Sequence, residues 1–317
     1  MRTLTLRTIL AAAALLILVT ACAPAAPAPT PTPTPEPTPE PISITDGLNR
    51  SLTLSGPAQR IVSLAPSNTE ILYAIGAGAQ VVGRDEFSNF PEAAASLPTV
   101  GGSFGSYNSE AIVALKPDLV LAAEINTAEQ VKALEDLGLT VFYLSNPTTL
   151  DGMYANLATV ALLAGQESNA KILVQSLMGR VAEVEKKATS VTERPSVFYE
   201  LDGTDPSAPY TAGPGTFIDT LINMAGGVNA AAGIGTSWGH LSVEELVVQD
   251  PDIILLGDAA YGVTVEAIGQ RAGWDGLQAV KTGHVYPFND DLVSRPGPRL
   301  VDALEALFGL LHPDTAK

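Results

Sequence analysis

The chain has 317 residues, 46% hydrophobic and 16% charged, with a formal net charge of −17 and one cysteine. That length admits about two ordinary domains, and the composition is that of a globular protein with ample core. The acidity argues against a nucleic-acid partner, which needs clustered Lys and Arg, and the lone Cys22 leaves no internal disulfide or thiolate metal site.

Residues 1–21 read as a lipoprotein signal peptide. Arg2 and Arg7 precede an apolar run, Ile9 to Val19, too short to span a membrane comfortably. Val19-Thr20-Ala21-Cys22 resembles a bacterial lipobox, which makes Cys22 the acylated first residue of the mature protein and the anchor to the membrane. Residues 22–41 form a Pro/Thr-rich tether that prefers polyproline II geometry, reaching roughly 55–60 Å. Next, Ile42 to Leu54 reads as a hairpin turning at Asp46-Gly47. A buried strand follows Arg60, a helix runs from Thr69 to Ile75 and stops at Gly76, and a strand starts at Val81.

The chain then contains one stretch twice. Asn108 to Leu121 (NSEAIVALKPDLVL) aligns without a gap on Ser242 to Leu255 (SVEELVVQDPDIIL). Each copy predicts a helix with a glutamate in its first turn, Glu110 or Glu244, where the helix dipole favours negative charge. Proline ends the helix, and a strand buried on both faces follows. A weaker echo links Thr69 to Ile75 with Thr216 to Ile222. The repeats predict an α/β fold of two similar lobes, each a mostly parallel sheet flanked by helices, at residues 42–148 and 191–317. Residues 149–190 are helical between them. Ala170, Leu173, Val174, Leu177, Val181 and Val184 recur at helical spacing and predict a helix from about Ser168 to Ala188 that bridges the lobes, with the ligand cleft between them.

RIVSLAPSNTEILYAIGAG, SEAIVALKPDLVLA, PGTFIDTLINMAGGVNA, SVEELVVQDPDIILLG and RPGPRLVDAL, in that order, resemble the substrate-binding lipoproteins of ABC importers for cobalamin, haem and ferric siderophores. The cobalamin-binding members are the nearest in pattern, because Trp238 falls where they carry a cleft tryptophan. The resemblance implies an extracytoplasmic, lipid-anchored, monomeric receptor that hands a metal-chelate ligand to a permease dimer, with Glu110 and Glu244 docking that permease. A bland alternative is that each glutamate only answers its helix dipole. The resemblance also implies polar ligand contacts from Asp291 and Arg295, which could instead pair with each other at the surface; Arg299 reads as structural.

Ligands of open α/β sheets sit at the carboxyl ends of the strands. The loops expected there carry Phe87, Phe90, Phe104, Tyr107, Tyr210 and Trp238, and Phe104 and Trp238 each stand six residues before their lobe's glutamate. Aromatic faces suit a flat conjugated macrocycle. His240, His284 and His312 lack the spacing of a zinc site. No resident cofactor or metal is expected. No nucleophile elbow, Walker loop or dinucleotide fingerprint is present, so catalysis is the minor hypothesis. The sequence reading is a corrinoid receptor, with siderophore or haem as alternatives and a surface enzyme on the same scaffold as a more distant one.

Overall fold

The computed structural model describes residues 40–102 and 105–315; the signal peptide, most of the tether, Cys22 and Phe104 lie outside the described residues. Strand β1 (Ile42–Thr45) pairs antiparallel with β2 (Ser51–Leu54), the hairpin expected at Asp46-Gly47. The Asp46 carboxylate accepts from Leu48 N and Arg50 N to hold the turn, and from Tyr143 N to hold the hairpin on its lobe.

The first lobe is built on β3 (Ile61–Ser63), β4 (Val81–Arg84), β5 (Leu119–Ala123) and β6 (Val141–Leu144), all parallel in the order β4-β3-β5-β6. The second uses β7 (Ser196–Asp202), β8 (Tyr210–Ala212), β9 (Val228–Asn229), β10 (Trp238–His240), β11 (Ile253–Leu256) and β12 (Val285–Pro287). Its β7, β11 and β12 are parallel, as is short β9 beside the start of β7. Strands β8 and β10 add an antiparallel edge.

Side chains alternate across each sheet, so one strand feeds two cores. Ile61, Leu119, Leu121, Val197, Tyr199, Ile253 and Leu255 face a single large core that runs through both lobes. Val62, Val120 and Tyr143 face an outer core on the first lobe, and Phe198, Ile254 and Leu256 one on the second. The shared core is completed by helices Leu150–Ala164 and Glu167–Ala188, separated at Gly165 in the left-handed conformation (φ 69°). The longer helix has 22 residues, about 33 Å at 1.5 Å per residue. It buries Ala170, Leu177, Val181 and Val184, and its Arg180 binds Asp302 at 2.6 Å on the last helix, Leu300–Leu311.

The repeated stretches form the same unit in both lobes. Helices Ser109–Ala114 and Val243–Gln249 are capped by the side chains of Asn108 and Ser242. Lys116 (φ 47°) and Asp250 (φ 42°), each just before the proline, turn the chain in the left-handed region. The αR conformation is crowded for a residue before proline, which is why the helix cannot simply continue. Asp118 then accepts from Gln59 N and Arg60 N at 2.7 and 2.9 Å, and Asp252 from Ser196 N at 2.8 Å, so each carboxylate secures the start of a neighbouring strand. The weaker echo is looser in structure than in sequence. Helix Pro66–Ala74 begins before Thr69 because proline occupies its first turn, and Thr69 bonds Ser63 and Ser88 inside the lobe. Thr216, by contrast, caps helix Phe217–Met224.

Candidate functional site: a groove between the lobes

A groove of about 300 Å³ lies where strands of both lobes end. The first lobe contributes Glu124, just past β5, and Asn146 to Thr148, past β6; the second contributes Gly215 to Phe217, Ser237, Trp238, Val293, Ser294 and Pro296. Trp238 is 46% exposed, an unusual state for so large an apolar surface, and stands at the start of β10. Its placement depends on close backbone packing. Gly213 N donates to Ser237 O at 2.8 Å, and a Cβ on Gly213 would run into the carbonyl oxygen of Thr236.

Trp238 and His240 share one face of β10, and their cross-strand partners on β8 are Ala212 and Tyr210. The Tyr210 and His240 rings meet edge-on at 5.1 Å, and His240 Nδ1 is bonded to Ala208 O at 2.6 Å. Tyr210 therefore continues the strand face from Trp238 and is not in the groove wall itself. Among the described residues no three His, Cys, Asp or Glu side chains converge as a metal site.

The other aromatic expectations divide. The Tyr107 hydroxyl donates to Leu64 O at 3.0 Å and accepts from Asn126 Nδ2 at 2.6 Å, and its ring packs on the outer core of the first lobe. It is a structural residue, because both hydrogen-bonding directions are filled from inside the lobe. Phe90 lines a separate cavity of about 370 Å³ with Tyr73, Leu173 and Leu177, under the Arg299 guanidinium, which lies 4.1 Å from its ring centroid. Phe87 is 51% exposed and turns its carbonyl to Arg295 at 3.4 Å.

Arg295, expected to reach for ligand, crosses between the lobes instead. Its Nη1 donates to Glu70 Oε1 at 3.0 Å and to Asn89 Oδ1 at 2.8 Å, while Nη2 pairs with Asp291 Oδ1 at 2.8 Å. Arg299 grips the same Glu70 with two bonds, at 2.7 and 2.5 Å. Glu70 is 2% exposed, and two guanidiniums surround its carboxylate with charge-assisted hydrogen bonds. Asp291, paired with Arg295, remains partly exposed and is not in the groove wall. Sequence reading missed this cluster. The one signal was a glutamate between Thr69 and Ile71 on a helix whose other residues carry no charge.

Glu110 and Glu244 are exposed in the first turns of their helices, and neither carboxylate makes an ion pair among the described residues. Each helix leads into a strand of a parallel arrangement, so its first turn lies at the end where the strands finish. Both glutamates thus stand at the groove end of the molecule, one on each lobe.

The comparisons with known proteins agree with this architecture. The chain is 36% identical over 281 residues, 87% of each chain, to an uncharacterised ABC transporter substrate-binding lipoprotein, YvrC, of Bacillus subtilis. It is 33% identical over 278 residues to a cobalamin-binding protein of Halobacterium salinarum, covering 85% of this chain and 74% of that one. A periplasmic haem-binding protein, RhuT, of Roseiflexus sp. RS-1 superimposes with a TM-score of 0.73 at 29% identity, covering 82% of this chain and all (100%) of the other. With residues 61–292 matching the periplasmic binding protein family, this chain belongs to that family.

Proposed function

We propose that the protein is a lipid-anchored extracytoplasmic receptor that captures a corrinoid in the groove and delivers it to an ABC importer. The observation that carries the ligand choice is the state of the arginines. Arg295 and Arg299 are both spoken for by Glu70 and Asp291, and the groove wall itself offers Asn, Thr and Ser side chains, one carboxylate and the apolar Trp238, Phe217 and Val293. Such a wall suits an uncharged macrocycle rimmed with amides; propionates or an anionic iron chelate would find no free cation among the described groove residues. A volume of about 300 Å³ is at the small end for ligand sites, so a corrin would lie across the mouth with its edge inserted. The cobalamin-binding relative supports the same choice. Cys22 tethers the receptor, and Glu110 and Glu244 engage the permease by complementary charge.

Haem is the second reading, and His240 favours it. With Nδ1 held by Ala208 O, its Nε2 is free to face an iron, on the strand face that carries Trp238. Calorimetry with cyanocobalamin, haem and ferric siderophores at two salt concentrations separates the readings. Cobalamin binding that is insensitive to salt, and about 10- to 100-fold weaker in Trp238→Ala, is the expected result. Absence of heat with cobalamin, together with haem binding lost in His240→Ala, would replace the corrinoid reading.

A further inference from the structure

The two glutamates do not stand alone on their helices. Val113 and Val247 occupy matching positions of the two copies, three residues past Glu110 and Glu244. Both are exposed, at 43% and 47%. Residues three apart share a helix face, so each valine lies beside its glutamate. The preceding residues, Ile112 and Leu246, are fully buried at 0% and supply the anchor of each helix to its lobe. The valines therefore serve no core. Nor do they serve the helix, since β-branched side chains lose rotamer freedom there. A single exposed aliphatic residue needs no explanation. The same residue type, exposed to the same degree at the same offset from an unpaired acid in both lobes, does.

We propose that Val113 and Val247 are the apolar halves of two docking knobs, each an acid beside a valine, received by the importer permease. The inference rests on the reading of Glu110 and Glu244 as permease contacts and adds a second chemistry to it. A two-fold partner presents one receiving surface twice, and this chain presents one acid–valine pair twice, at the groove end of each lobe. The receiving surface accordingly holds a basic group next to an apolar wall. The charges steer the encounter and are screened by salt; the valines, once desolvated, slow departure.

The test uses the full receptor and its importer reconstituted in lipid vesicles, with association and dissociation followed at low and high salt. Val113→Ser with Val247→Ser is expected to weaken importer binding about tenfold at both salt concentrations, through faster dissociation. Ligand affinity and thermal midpoint stay unchanged. Glu110→Gln with Glu244→Gln is expected to slow association, chiefly at low salt. Ile172→Ser, which removes a 67% exposed aliphatic on the bridging helix, has no effect on importer binding. If the glutamate pair matters and the valine pair does not, the valine inference falls and the docking reading stands. If neither pair matters, both fall. An equal loss in Ile172→Ser, or a parallel loss of ligand binding in the valine variant, also overturns the inference.

Discussion

In the first lobe, Asn108 accepts from Ala111 N at 3.0 Å, Lys116 turns the chain at φ 47°, and Asp118 secures two backbone N–H groups of the strand beside it. In the second, Ser242 accepts from Glu245 N at 3.2 Å, Asp250 turns at φ 42°, and Asp252 secures one. These parts face outward or begin a strand, and they match position by position. The parts that precede the helices do not match. The first lobe has a loop closed by the Gly101–Tyr107 bridge, whereas the second has the antiparallel pair β8 and β10 carrying Trp238. The helix–turn–strand unit that carries each glutamate is thus duplicated and the groove walls are not. That division is what a two-fold partner on one side and an asymmetric ligand on the other would require.

The two units are self-contained, but the lobes that bear them are not: Glu70 ties one to the other through Arg295 and Arg299. Glu70→Ala leaves the largely covered Arg299 without its ion-pair partner and Arg295 with Asp291 alone, and should cost about 3–5 kcal/mol in urea unfolding. A combined Glu70→Leu, Arg295→Met, Arg299→Leu variant should recover most of that loss. A loss under about 1 kcal/mol in the single variant would show that the lobes do not depend on the cluster.

A second asymmetry is acid–base. Glu200, on β7 and 0% exposed, has its carboxyl pushed up to about 7 by burial, against the pull of the Arg271 hydrogen bonds; nearby Asp258 adds to the rise. The native state holds this proton more tightly than the unfolded chain does. Its contribution to stability is therefore complete below the ordinary glutamate value and is lost as pH climbs through about 7, by at most roughly 3 kcal/mol. Glu200→Gln should flatten that slope. An unchanged pH profile in the variant would assign the slope to another group.

The smallest effect tests the likeness itself. Asp118→Ala removes two strand-start hydrogen bonds and Asp252→Ala one, so losses of about 2 and about 1 kcal/mol are expected. Equal losses, or the reverse order, would mean the two units bear different loads despite their matched geometry.

Most of the scaffold was legible from the chain. Strands buried on both faces leave unbroken aliphatic runs such as Leu119 to Ala123, the bridging helix repeats its apolar residues at helical spacing, and Asp46-Gly47 announces a hairpin. The groove was legible only in part. Trp238, singled out by its glycine-flanked loop and by the family resemblance six residues before Glu244, does line the groove. Asn146 to Thr148 and Ser294 were missed because small polar loop residues look alike wherever they point. Arg295 was assigned to the ligand because Glu70 lies 225 positions away, and no local pattern reveals which distant charge an arginine will meet. The anchoring of Tyr107 was hidden for the same reason: its two hydroxyl partners, Leu64 and Asn126, come from other elements.

The Glu70 cluster also bears on how a receptor of this kind lets go. The segment bearing Arg295 and Arg299 comes from the second lobe, and the glutamate it clasps belongs to the first. The walls of the groove are consequently set at their spacing before any ligand arrives, and little freedom remains to be lost when one does. The same clasp resists the walls being drawn apart, because separation would break the three charge-assisted hydrogen bonds that Glu70 accepts across the lobes. If the proposed docking through Glu110 and Glu244 holds, release becomes work done by a partner that grips both lobe tips at once, and the cargo would leave by being prised from a rigid jaw rather than by waiting for a hinge to swing.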